Sequence, residues 1–152
     1  MDVKALALGE KDYIIAQRHY LHAHPELSTK EFATTEHIIE ELKKMGIEVI
    51  TFPNTTGCVG VIKGEKPGKT VMLRADIDAL PIQEADLSKS YASKVPGVMH
   101  ACGHDCHTAM LLGAGKILSR NRQMLRGTVK LLFQMGEEIG TESRHYVEAG
   151  AL

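Results

Sequence analysis

Two strand-like runs flanking a helical pattern are the strongest constraint on the fold of this chain. Thr70–Ile77 and Thr128–Gln134 are rich in β-branched and aliphatic residues, the signature of strands, and Leu131–Gln134 reads as a buried one. Between them, Met110, Leu111, Ala114, Ile117 and Leu118 recur at helical spacing, with Lys116, Ser119 and Arg120 as the polar face. This helix is expected to begin near Asp105 or Cys106. Two further strands are expected over Glu48–Phe52 and Gly57–Lys63, with Lys66-Pro67-Gly68-Lys69 as a turn before the next strand. Strands and helices that alternate in this way predict an α/β fold, a mixed sheet flanked by helices.

The N-terminal third reads as helical. Lys11 to Ala23 carries Ile14 and Leu21 on one face and stops before Pro25. Ser28-Thr29-Lys30-Glu31 has the form of a capping box for a second helix, marked by Phe32, Ile39, Leu42 and Met45 and stopped by Gly46. Residues 79–99 read as irregular, and Thr141–Ala149 as a short last helix. The 152 residues suit one domain with a core of its own. A formal net charge of −1 leaves no basic footprint for nucleic acid or an anionic membrane. No apolar run approaches the ~18 residues of a membrane span, and the N-terminus lacks the apolar core of a signal peptide. Three cysteines, two of them inside a histidine cluster, argue against a disulfide framework. The expectation is a cytoplasmic protein.

Three clusters carry chemistry. The first is Met99-His100-Ala101-Cys102-Gly103-His104-Asp105-Cys106-His107, with three His, two Cys and one Asp in nine residues. Thiolate and imidazole suit zinc and other divalent transition metals. Cys102 and His104 are two apart, so an extended segment points both to one side. The second is Glu137-Glu138, just after a strand, where α/β sheets gather their sites. One carboxylate of such a pair can ligate a metal while the other takes a proton from an attacking water. Alone, the pair would serve as an acidic helix start. The third is Arg74-Ala75-Asp76-Ile77-Asp78, where Asp76 could orient a metal-bound imidazole. His19, His22 and His24 read as structural, His37 as exposed helix, and Cys58 as core.

These residues also carry a resemblance. Arg18–Ser28, Arg74–Glu84, Met99–Ala109 and Phe133–Glu138 follow, in order, the motifs of the dimetal amidohydrolases related to aminoacylase and the zinc carboxypeptidases. The branch is that of N-acyl-amino-acid amidohydrolases, hippurate hydrolases and plant auxin-conjugate hydrolases. The resemblance implies the N-terminal part of a zinc-peptidase-like catalytic domain. It implies two divalent ions (Zn, Mn, Co or Ni), bridged by Cys102, with His104 and Glu138 as further ligands. Glu137 would be the general base, and Asp76 the carboxylate that supports a ligand. His100, Asp105 and His107 complete the signature without assigned roles. The implied substrate is a small N-acyl amino acid or peptide.

Two departures stand out. Phe133-Gln134-Met135-Gly136 replaces the family's Phe-Gln-Pro-Ala, which is expected to loosen the loop before the glutamates. Family members are also much longer. Residues 1–152 then form a partial catalytic domain, with the dimerisation or lid domain and the remaining His ligands absent. The second reading is a non-catalytic metal-binding fragment, or an inactive remnant with a structural or partner role. An uncovered sheet edge would favour self-association.

Overall fold

The computed structural model describes residues 2–140 and 142–151. It contains helices α1 (Val3–Gly9), α2 (Lys11–Ala23) and α3 (Phe32–Lys44), then strands β1 (Glu48–Ile50), β2 (Cys58–Lys63) and β3 (Lys66–Asp76). Helix α4 (His104–Arg120), strand β4 (Arg126–Gln134) and helix α5 (Ser143–Glu148) follow. The four strands form one sheet in the order β1-β2-β4-β3. β2 runs antiparallel to both β1 and β4, whereas β3 and β4 are parallel. The expected mixed α/β architecture is present. No helix among the described residues is long and apolar enough to cross a membrane.

Alternation along β4 explains the layers. Leu131 and Phe133 face one side and join Ile38, Leu42, Ile62, Ala75, Ile77 and Leu112 in the main core. Leu132 faces the other side and packs with Val59, Val61, Met135 and Tyr146. Successive side chains of a strand point to opposite faces, so one strand serves two cores. Helices α3 and α4 cover the first face and α5 the second. Truncating Leu131 to Ala would cost about 2–5 kcal/mol, the usual range for a fully buried leucine.

Several local expectations are corrected. Val3–Gly9 is helical, its first turn capped by the Asp2 carboxylate on the Ala5 amide, a segment with too little apolar periodicity to announce itself. Ser28 does not cap α3. The Glu26 carboxylate accepts from the amides of Ala33 and Thr34 instead, at 3.2 and 2.7 Å. A carboxylate from outside the helix satisfies two of its free amides and suits its positive end. At the other end the amide of Ile47 reaches the Leu42 carbonyl and that of Gly46 the Lys43 carbonyl, so the expected stop is a Schellman closure. Lys66–Lys69 is not a turn. It lies within β3, and the pairing with β4 shifts register between Lys66 and Thr70. On α4, Met110 is 55% exposed and Leu112 is fully buried, so the inward stripe is rotated from the expected one. His37 is half-buried, bonded to Gln17 at 2.7 Å. Thr141, the expected start of the last helix, lies outside the described residues.

Gly57 occupies φ +78° where β2 begins, and a Cβ there would collide with the Phe133 carbonyl and the Tyr146 hydroxyl. Left-handed backbone and a hard backbone contact act together at this position. Gly57→Ala is expected to lose roughly 2 kcal/mol or more in urea unfolding. A midpoint equal to that of the wild type would contradict this packing.

Candidate metal centre

The parallel pairing sets Asp76 of β3 beside Gln134 of β4. The chain therefore leaves both strands at the same edge of the sheet, with Ile77–Asp78 on one side and Met135–Glu138 on the other. The Ile77 amide still bonds the Gln134 carbonyl at 3.0 Å, so the two exits stay together. Helix α4 is the crossover between the strands, and its first turn arrives at this edge, where α/β folds place their sites. Gly103, at φ +100°, makes the left-handed step that turns the chain from Cys102 into the helix at His104.

His104 is the centre of the cluster and only 2% exposed. Its Nδ1 lies 3.0 Å from the Asp78 carbonyl and 3.1 Å from Asp78 Oδ1. Donation from Nδ1 fixes the ring and aims Nε2 into the site. Nε2 faces three carboxylates at non-bonding range: Glu137 at 3.6 Å, Asp76 at 3.7 Å and Glu138 at 3.8 Å. Burial disfavours protonation of this ring, but the hydrogen bond to Asp78 and the charges of Asp76 and Asp78 outweigh it and push His104 up to about 9. Asp78 is driven the other way. Burial raises it, but bonds from His104, the Glu138 amide and Ser28 hold it down at about 2.

Two triads offer ligand atoms that lie within 4.8 Å of one another: Cys102, His104 and Glu138, and Asp76, His104 and His107. Three observations fit a cation at the first. Glu138 Oε1 is buried and has no hydrogen-bond partner. The Cys102 thiol, exposed at the mouth of the cluster, is held above its ordinary value by partial desolvation and by the negative charge of Glu138, Glu137 and Asp76. A divalent ion would reverse that balance and favour the thiolate. Finally, thiolate, imidazole and carboxylate together form a donor set for a borderline transition metal.

Each residue singled out in the sequence has a place. Cys102, His104, Glu137, Glu138 and Asp76 converge on one spot. Asp76 pairs with His107, at 2.5 Å from its Nδ1, while the carboxylate on His104 is Asp78. Sequence reasoning passed over Asp78. The available signal was the spacing, since residues i and i+2 of an extended segment project to one side, with the fully buried Ile77 opposite. Asp105 does not face the site. It receives Arg18 Nε at 2.9 Å and contacts His22 Nδ1 at 2.7 Å, so it ties α4 to α2. His22 also meets Glu84 at 3.1 Å. His100 is buried with neither ring nitrogen bonded, and burial pushes it down to about 4. His145 pairs with Glu142 at 3.2 Å, outside both triads.

Asp78 gives this geometry its clearest test. Removing the acceptor that orients a ligating imidazole costs about 10–100-fold in metal affinity. Asp78→Ala removes the carboxylate but keeps the main-chain carbonyl on Nδ1, so it is expected to weaken cobalt(II) binding by about tenfold, the low end of that range, and Asp78→Asn less, because its amide oxygen still accepts. Equal affinity in all three proteins would exclude Asp78 from the site.

Comparison with known proteins gives a consistent answer. Residues 72–152 match the family described as Peptidase family M20/M25/M40. The chain is 47% identical to thermostable carboxypeptidase 2 of Saccharolobus solfataricus, over 99% of its own length and 38% of that protein. It is 46% identical to an N-acyl-L-amino acid amidohydrolase of Geobacillus stearothermophilus, over 99% of its length and 41% of the relative. It superposes on the YXEP protein of Bacillus subtilis, described as a dinuclear metal binding peptidase from the M20 family, with a TM-score of 0.88 and 45% identity. That match covers 98% of this chain and 41% of the other. The chain thus spans about two-fifths of the length of these relatives. Because the family match takes in more than half of the chain and the identities approach one residue in two, the chain belongs to peptidase family M20/M25/M40.

Proposed function

We propose that these 152 residues are the N-terminal part of a catalytic domain that hydrolyses the amide bond of N-acyl amino acids or small peptides. The observation that carries the reading is His104, locked by Asp78 with Nε2 turned toward Cys102, Glu138 and Glu137. Cys102, His104 and Glu138 would be among the residues that hold two divalent ions; Zn, Mn, Co and Ni all suit the donor set. Such ions supply a Lewis acid for the acyl carbonyl and make a water acidic enough to lose a proton near neutral pH. Glu137 is the base in this scheme. Its side chain is 41% exposed, in contrast to the buried His104 beside it, so it can reach solvent and substrate. It takes the proton of the attacking water and returns it to the leaving amine nitrogen. Asp76 holds His107 and adds negative charge at the rim of the site.

Two ions sharing Cys102 call for about five protein ligands on the usual count of about three per catalytic ion. The residues assigned here give three. The remaining ligands, and a dimerisation or lid domain, would come from sequence outside these residues. That shortfall is the specific support for the second reading, a non-catalytic metal-binding fragment. All three cysteines are unpaired, in keeping with a reducing, cytoplasmic setting. We assign no nucleic-acid or membrane partner. The sheet ends on β3, where Val71 is 54% and Leu73 37% exposed, an edge that favours self-association.

The test is metal content per chain, with Cys102→Ala alongside, followed by amine release from N-acetyl and N-benzoyl amino acids in manganese or zinc. Metal that is bound by the wild type and lost in Cys102→Ala is expected. In an active protein Glu137→Gln should keep the metal and lose about 10²–10⁴ in turnover. Bound metal without amine release from any substrate would favour the non-catalytic reading. Substantial turnover in Glu137→Gln would remove Glu137 as the base.

A further inference from the structure

Glu31 is fully buried, at 0% exposure, and no ion pair among the described residues involves it. It lies at the start of α3, and the chemistry above does not use it. A buried carboxyl without a cation is costly unless hydrogen bonds satisfy it. Its Oε2 accepts from the Thr56 hydroxyl at 2.5 Å, and its Oε1 from the Gly136 amide at 2.9 Å. Gly136 immediately precedes the two glutamates.

These contacts belong to a closed ring of hydrogen bonds. The Met135 amide donates to the Tyr146 hydroxyl at 3.1 Å, and that hydroxyl donates to the Thr56 carbonyl at 2.7 Å. Thr56 then returns to Glu31 through its own hydroxyl. Thr56, Met135 and Tyr146 are all buried, so water does not compete for these bonds. Two residues further on, the Glu138 amide donates to Asp78 Oδ2 at 3.0 Å. The short 3₁₀ turn at Glu137–Ile139 is thus held by two carboxylates from distant parts of the chain. One takes the amide before Glu137 and the other the amide after it.

We propose that Glu31 is a positioning residue for Glu137 and Glu138, acting through the Gly136 amide. The inference rests on the metal-site reading for its consequence, because it makes the approach of Glu138 to Cys102 and His104 depend on a residue that touches none of them. The closed ring also replaces what a proline at position 135 would supply. Proline has no amide hydrogen, so a proline at position 135 could not make the bond that Met135 makes to Tyr146.

The experiment uses the metal-free 152-residue chain, with amide hydrogen exchange read residue by residue, and a parallel titration with cobalt(II) alone. In Glu31→Met the Gly136 and Glu138 amides are expected to exchange at least about tenfold faster relative to Leu131 in β4, the scale set by one orphaned buried amide. Cobalt affinity should fall by a similar factor although every ligand is retained. Glu31→Gln, which still offers an acceptor, should restore most of both. A merely structural Glu31 would speed exchange everywhere together, and an unchanged ratio of Glu138 to Leu131 would overturn the proposal. If Glu31→Met does not fold, Thr56→Val removes the hydroxyl that orients Glu31 and is judged by the same ratio. If the wild-type chain takes up no cobalt, the metal-site reading fails for this chain, while the amide ratio still decides the role of Glu31.

Discussion

The parallel pairing of β3 on β4 is the constraint on which the rest of this structure depends. A parallel pair cannot be joined by a tight turn, so the chain must cross over, and α4 is that crossover. The crossover brings the first turn of α4 back to the edge where both strands end. Asp78, His104 and Glu138 are far apart in sequence and meet only there. Pairing through Ile77 and Gln134 keeps the two exits side by side. The core beneath is rigid because Leu131, Phe133, Ile77 and Leu112 are all fully buried against one another. Precision at the site is therefore inherited from packing one layer below it.

Electrostatics at that edge is one-sided. Asp76, Glu137 and Glu138 face a single imidazole nitrogen, and Asp78 holds the other side of the ring. Like charges at this range repel, and partial burial strengthens the repulsion. The fold offsets part of this through the hydrogen bonds that Asp78 accepts and by favouring the protonated form of the His104 ring. A divalent ion would neutralise the remainder and displace that proton, so metal uptake and proton release are coupled. The same charges that raise the Cys102 thiol in the free protein become the attraction that holds the ion.

The loop before the glutamates shows how far local reading carries. Loss of the family's proline at position 135 suggested a looser segment. In the structure the freed Met135 amide finds the Tyr146 hydroxyl, and Met135 Sδ receives the Thr56 amide at 3.3 Å. A conformational restraint within the residue is exchanged for hydrogen bonds to distant residues. The capping of α3 follows the same logic. Ser28 bears the local signature of a cap, but its hydroxyl goes to Asp78 Oδ2 at 2.7 Å, and Glu26 takes over the helix end. In both places long-range partners outweigh a short-range preference; for Ser28 the reason is that a buried carboxylate gains from an extra donor while Glu26 still satisfies the helix end.

The sequence by itself determined the elements and the chemical vocabulary. Lys11–Ala23 and the four strand positions follow from apolar periodicity, and the Schellman stop from Gly46, because these are set within a few residues. The motif around Cys102 and His104, with Glu137-Glu138, carries the donor types and the family likeness in the sequence alone. What the tertiary structure decided was which carboxylate serves which histidine, and which buried groups hold them. Asp76 and Asp78 are equivalent in spacing and differ only in what the fold places opposite them, His107 for one and His104 for the other. Glu31 reads as part of a capping box, His22 as structural and Asp105 as part of the histidine cluster, and in three dimensions all three are buried struts. Their roles depend on contacts such as His22 with Asp105 and Glu31 with Gly136, 83 and 105 residues apart along the chain, and no local pattern encodes a distance of that kind.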